Sequence, residues 1–133
     1  MKRIIAAVIA VFVLWTVLDF VVHVVLLTGL YEATADMWRP PEEAKRVLSS
    51  VAVLVFAFAF VYIYAQYIEP RSIAIGFQYG LLLGIGVGVS MGFGMYAYMP
   101  IPYEMALAWC LGRVVEFATA GLIVGWIFPK PTS

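Results

Sequence analysis

The sequence predicts an all-α integral membrane protein, a four-helix transmembrane bundle of up-down-up-down topology forming a single domain over residues 1–133. Three observations carry the prediction. Hydrophobic residues make up 65% of the chain and charged residues 12%, with a mean hydropathy of +1.00, which is too apolar for a water-soluble domain of this size. The apolar residues gather in four stretches, 4–30, 47–68, 73–99 and 103–128, each long enough for the about 20 residues that cross a hydrocarbon core. None of the stretches alternates with period two, and lipid offers the backbone no hydrogen-bond partner, so each must satisfy its own amides as a helix.

The first stretch follows Met1-Lys2-Arg3 and imitates a signal peptide in its basic start and apolar run. It is longer than an ordinary h-region and has no small-residue cleavage site before a polar segment, so it reads as the first span, residues 4–30. A surface loop, 31–40, carries Glu32, Asp36, Trp38 and Arg39; its first part is helix-compatible and is expected to lie along the interface with Trp38 at headgroup level. Pro40-Pro41 followed by Glu42-Glu43 fits a helix start, because proline suits the first turn and acids suit the positive end of the helix dipole. The second span is therefore expected over 41–68. Glu69-Pro70-Arg71 makes a tight turn into the third span, 72–99. Met99-Pro100-Ile101-Pro102 makes the next, with Pro102 opening the fourth span, 103–128, and Glu104 in its first turn. Short turns imply that consecutive helices are antiparallel neighbours.

Orientation follows the lysines and arginines. Lys2, Arg3, Arg71 and Lys130 fall on one side, Arg39, Lys45 and Arg46 on the other, which favours both termini inside. Eight basic residues balance eight acidic ones, so no basic surface points to nucleic acid as a partner. The lone Cys110 lies in an apolar run and is expected to be a packed thiol.

Gly76, Gly80, Gly84, Gly88 and Gly92 recur at every fourth position of the third span, with Gly86 and Gly94 nearby. Helices in lipid associate through close backbone contact, which glycine permits, so this helix is expected to be central to the packing. A hinge or a pathway lining over residues 84–94 is the functional alternative, and the helix filling the groove belongs either to this chain or to another. The second span carries Phe56, Phe58, Phe60, Tyr62, Tyr64 and Tyr67, expected to face lipid or a partner, with an interfacial tyrosine belt at its end.

Four ionisable residues fall at membrane depth, where each costs about 2.5–3.5 kcal/mol on insertion scales unless paired. Asp19 and His23 share a face of the first span, and Arg113 and Glu116 share a face of the fourth. At 1.5 Å of rise per residue, Asp19 sits roughly 3 Å and Arg113 roughly 4–5 Å from the centre on the same side, so the two are level. Asp19 is expected to pair with Arg113, which also bonds Glu116, bringing the first and fourth spans together. His23 lies nearer the surface, within reach of Tyr96 or Glu104. Such a cluster either fixes helix register or relays protons. One histidine with scattered carboxylates lacks metal-site spacing. Haem would need His23 with Met91, Met95 or Met99, or a partner's histidine. No cofactor is expected.

The runs from Trp15 through Asp19 to His23, from Tyr31 to Pro40, and Met99-Pro100-Ile101-Pro102-Tyr103 resemble small four-span bacterial membrane proteins of unknown function. The resemblance covers nearly the whole chain; it implies the four-span topology and a bacterial cytoplasmic (inner) membrane, and transfers no activity. No serine, cysteine or phosphate-loop motif supports catalysis, and the segments outside the spans are too short for a soluble catalytic domain. The expected role is non-catalytic: an accessory or assembly subunit of a larger membrane complex, or a homo-oligomer. Its partners would be the bilayer, other membrane subunits or copies of itself. The alternative is a small transporter or proton-conducting protein using Asp19, His23, Arg113 and Glu116.

Overall fold

The structure, a computed structural model, describes residues 1–128, so Lys130 of the orientation argument lies outside the described residues. Its elements are α1 (Lys2–Phe20) continuing into a π-helical turn (Val21–Leu26), α2 (Thr28–Ala33), 3-10 turns at Ala35–Met37 and Pro41–Glu43, α3 (Arg46–Tyr67), α4 (Ile73–Tyr98) and α5 (Tyr103–Ile127). There is no strand among the described residues. Four helices, the first including the π turn, are long and apolar enough to cross a membrane, and the protein is a multi-pass, all-α membrane bundle.

Two span boundaries move. The first helix ends at Leu26 because Leu27 leaves helical geometry (φ −102°, ψ 5°), and the residues after it form the separate short α2. The α3 helix starts at Arg46, not near Pro41. Pro41–Glu43 makes only a 3-10 turn and Ala44 is extended. Pro40 through Lys45 are all exposed, so no packed face holds a helix there. The loop's first part is helical as expected, but Trp38 is turned onto the protein. Its ring meets Tyr31 edge-on at 5.2 Å and Trp109 at 6.0 Å.

The five-glycine stripe is buried against α5 of the same chain. An added Cβ at Gly76 would stand 2.2 Å from the Gly121 carbonyl oxygen, at Gly80 2.0 Å from that of Phe117, at Gly88 2.5 Å from that of Cys110 and at Gly92 2.5 Å from that of Ala106. At Gly84 it would lie 2.9 Å from Phe117 Cβ. Such spacing leaves room only for hydrogen and favours Cα–H···O contacts between the backbones. Gly121 and Gly125 answer from α5, where an added Cβ would stand 2.1 Å from the Gly76 oxygen and 2.7 Å from that of Ser72. Gly86 and Gly94 face open space and α4 runs unbroken, so the close packing belongs to the five glycines of the stripe.

The central helix is α5, not α4. A glycine stripe gives α4 one narrow face, which α5 fills; α5 also packs on α1 and touches α3. Nor are all consecutive helices close neighbours: α3 packs along α1 and meets α4 through long side chains. The Tyr79 hydroxyl donates to the Phe60 carbonyl (2.8 Å) and the Tyr64 hydroxyl to that of Ser72 (2.9 Å), while Ser72 Oγ caps α4 by accepting from Ile75 N (3.1 Å). The α3 aromatics divide accordingly. Phe60 and Tyr64 are buried, correcting the expectation of a lipid-facing or partner-facing set, whereas Phe58, Tyr62 and Tyr67 face outward. The upper half of α3, residues 46–56, is exposed except at Val53.

Two apolar clusters result. Trp15, Phe60, Tyr64, Phe117 and Val124 centre the larger one, toward the chain's N-terminus. Leu27, Ile101, Met105 and Ala106 form a smaller cap at the end carrying residues 27–45, the loop end. Between them, along both α1 and α5, lies a polar layer.

Candidate functional site

Asp19, His23, Arg113 and Glu116 make up that layer. Helical spacing places the first two on one face of α1 and the last two on the facing side of α5, so antiparallel packing brings all four together. Arg113 Nη2 stands 3.0 Å from Asp19 Oδ1, and Arg113 Nη1 donates to Glu116 Oε2 at 2.5 Å. The predicted contact between the first and fourth spans is thus present. Glu116 is only 2% exposed. It is held from behind as well, since Trp15 Nε1–H donates to its backbone carbonyl at 3.0 Å. Replacing Trp15 with phenylalanine is expected to cost about 1–2 kcal/mol, from the lost indole hydrogen bond and the space left by the smaller ring, the Glu116 carbonyl keeping its bond from the Thr119 hydroxyl (3.1 Å); chemical denaturation in detergent measures it.

The Asp19–Arg113 contact is an ion pair whose angles are not those of a hydrogen bond, so Asp19 Oδ1 is buried without a hydrogen-bond partner. His23 Nε2 lies 3.6 Å from the same oxygen. Buried polar atoms in this state are uncommon and call for a reason.

His23 departs from the expectation. Neither Tyr96 nor Glu104 reaches it; its Nδ1 lies 2.6 Å from the Tyr31 hydroxyl, which also accepts from Trp109 Nε1–H at 3.1 Å. The break at Leu27 is the cause, because it turns α2 back over the end of α1 and brings Tyr31 down onto the imidazole. The Tyr31 hydroxyl stays protonated across the physiological range, burial holding it above the usual tyrosine value. Sequence reasoning missed Tyr31 and Trp109. Trp109 had a signal, since it precedes Arg113 by one helical turn and Glu116 by two; Tyr31 had none, because the break hides its register.

The π turn belongs to this arrangement. Its wide hydrogen bond, Leu27 N to Val22 O (3.0 Å), sits beside His23, and Gly112 of α5 lets Val22 approach, with an added Cβ meeting Val22 Cγ2 at 3.2 Å. Two cavities meet at His23. One, of about 560 Å³, opens at the loop end among Tyr31, Glu32, Asp36, Trp38 and Arg39. The other, of about 220 Å³, lies deeper between α1 and α4, with Met91 and Met95 on its wall and Trp109, Arg113 and Glu116 on its floor. A third space of about 170 Å³ adjoins it, where Ala52, Val53 and Phe56 of α3 look onto Arg113. Although His23, Met91 and Met95 share a cavity, axial ligation by the imidazole would displace Tyr31 from Nδ1 or Asp19 from Nε2, whichever nitrogen bound. Among the described residues no group of three or more His, Cys, Asp or Glu is placed to hold a metal. The chain matches no protein-family model, no curated protein and no solved structure.

Proposed function

We propose that the chain is a non-catalytic protein of a bacterial cytoplasmic membrane, with both termini inside, akin to small four-span bacterial membrane proteins. It works as an accessory or assembly subunit of a larger membrane complex or as a homo-oligomer. The observation that carries this reading is the splayed upper half of α3. From residue 46 to 56 it is almost wholly exposed, and the space it leaves opens onto Arg113. A charged side chain bordering an unfilled gap at membrane depth is costly in lipid, and a neighbouring helix seated there removes that cost. Purification in mild detergent is expected to recover the chain at a mass well above that of one copy, with fixed companions or with itself. A monodisperse single copy would remove the reading.

A second reading, a small transporter or proton-conducting protein, is supported by the neighbouring series Tyr31, His23, Asp19, Arg113, Glu116. It expects proton flux in vesicles containing only this chain, abolished by Asp19→Asn. Set against conduction by a single copy is the layer under Glu116. Trp15 and Phe117 stack at 4.7 Å, and Phe60 closes on them edge-first.

A further inference from the structure

The geometry points to a proton-binding site loaded from the loop end alone, through Tyr31 and His23 to Asp19, with no exit below Glu116. The inference rests on the residues of the proton-conducting reading but asserts uptake without passage.

One histidine tautomer suits transfer in this direction. Trp109 Nε1–H is a donor only, and it already occupies one lone pair of the Tyr31 oxygen. The Tyr31 proton can then point at His23 Nδ1, 2.6 Å away, and in that arrangement Nδ1 is the acceptor of the neutral ring and the hydrogen sits on Nε2. Nε2 faces Asp19 Oδ1, the buried carboxylate oxygen that lacks a hydrogen-bond partner. The series has a direction, with Tyr31, which lines the outer cavity, at one end and an unsatisfied acceptor at the other.

Charge gives the series its purpose. With both carboxyls ionised, Asp19 and Glu116 against Arg113 carry one negative charge in excess, which one proton removes. No other element upsets this sum. Beside the layer α4 supplies Met91 and Met95, and α3 supplies Ala52, Val53 and Phe56. Glu32, Asp36 and Arg39 stand around the outer cavity, not the inner one.

The transfer balances. A proton from the outer cavity binds the Tyr31 oxygen as the tyrosine's own proton passes to His23 Nδ1. The Nε2 proton then passes to Asp19 Oδ1, leaving a neutral ring with its hydrogen on Nδ1 and a neutral carboxyl on Asp19. The 3.6 Å between Nε2 and Oδ1 exceeds a hydrogen bond, so this step needs the ring to move toward Asp19, to which the charged imidazolium is attracted. Below Glu116 the route stops. Trp15, Phe60 and Phe117 fill the bundle, and the hydroxyls of Tyr64 and Tyr79 donate to carbonyls of Ser72 and Phe60.

His23 is the only histidine in the chain, so isotopic labelling of histidine reports this ring alone. With the intact protein oriented in lipid vesicles, the ¹⁵N spectrum at alkaline pH is expected to show a bare Nδ1 and a protonated Nε2. Acidifying the loop side should shift that signal and raise an infrared carboxylic-acid band that Asp19→Asn removes; acidifying the opposite side should leave both unchanged. Tyr31→Phe should erase the tautomer preference. An alkaline ring protonated on Nδ1, a spectrum indifferent to pH, or an equal response to both sides overturns the inference. Flux in the same vesicles is read separately: sided uptake without flux supports this site and removes the conducting reading, and flux with uptake from both sides does the reverse.

Discussion

Gly80→Ala is expected to be among the most damaging single-methyl changes in this protein, at about 3 kcal/mol or more, the upper end for an added group in a packed core. The new Cβ would lie 2.0 Å from the Phe117 carbonyl oxygen and 2.9 Å from its carbon. The obstacle is backbone, so no rotamer change relieves it and α4 and α5 must separate. Separation would also disturb the polar layer, because Phe117 follows Glu116 directly and its ring packs on Trp15. Thermal unfolding in detergent, followed by circular dichroism, measures the effect. Gly86→Ala, which faces open space, is the control and should unfold with the wild type. Equal stability of the two variants would show that the close α4–α5 approach does not hold the bundle together.

Arg113→Met should cost about as much for the opposite reason, by removing a group rather than adding one. Asp19 and Glu116 would lose their shared cation while remaining inside the bundle, and breaking a buried pair by deleting one partner costs about 3–5 kcal/mol. Arg113→Lys should recover only part of the loss, since one ammonium cannot reproduce a fork that reaches Asp19 from Nη2 and Glu116 from Nη1. A double-mutant cycle pairing Arg113→Met with Asp19→Asn should show coupling of about 1–3 kcal/mol, because the two groups are in contact. Additive effects would mean that the 3.0 Å approach of these groups contributes nothing to stability.

Much of the layer was legible because its rules are local. Spacing of four put Asp19 and His23 on one face, spacing of three did the same for Arg113 and Glu116, and rise per residue set the pairs at one depth. The glycine stripe announced a close helix contact on the same grounds. The partners of His23 were not legible. A break at Leu27 resets the register after it, and no pattern in the surrounding apolar residues marks that break or predicts where Tyr31 will land. The start of α3 was misplaced for a related reason: Pro41 and the acids after it favour a helical turn, but a turn with nothing to pack against does not extend.

By itself the sequence determined the number of spanning helices, their helical character and the identity of the four charges at membrane depth, because lipid leaves an apolar stretch no other way to bond its backbone and makes every charge conspicuous. Only the tertiary structure decided that α5 is the hub, that α3 stands away from α4, and that Tyr31 and Trp109 complete the polar layer. Those outcomes depend on which surfaces fit, and in lipid fit is a matter of shape and hydrogen bonding between segments distant in the chain, which hydropathy does not encode.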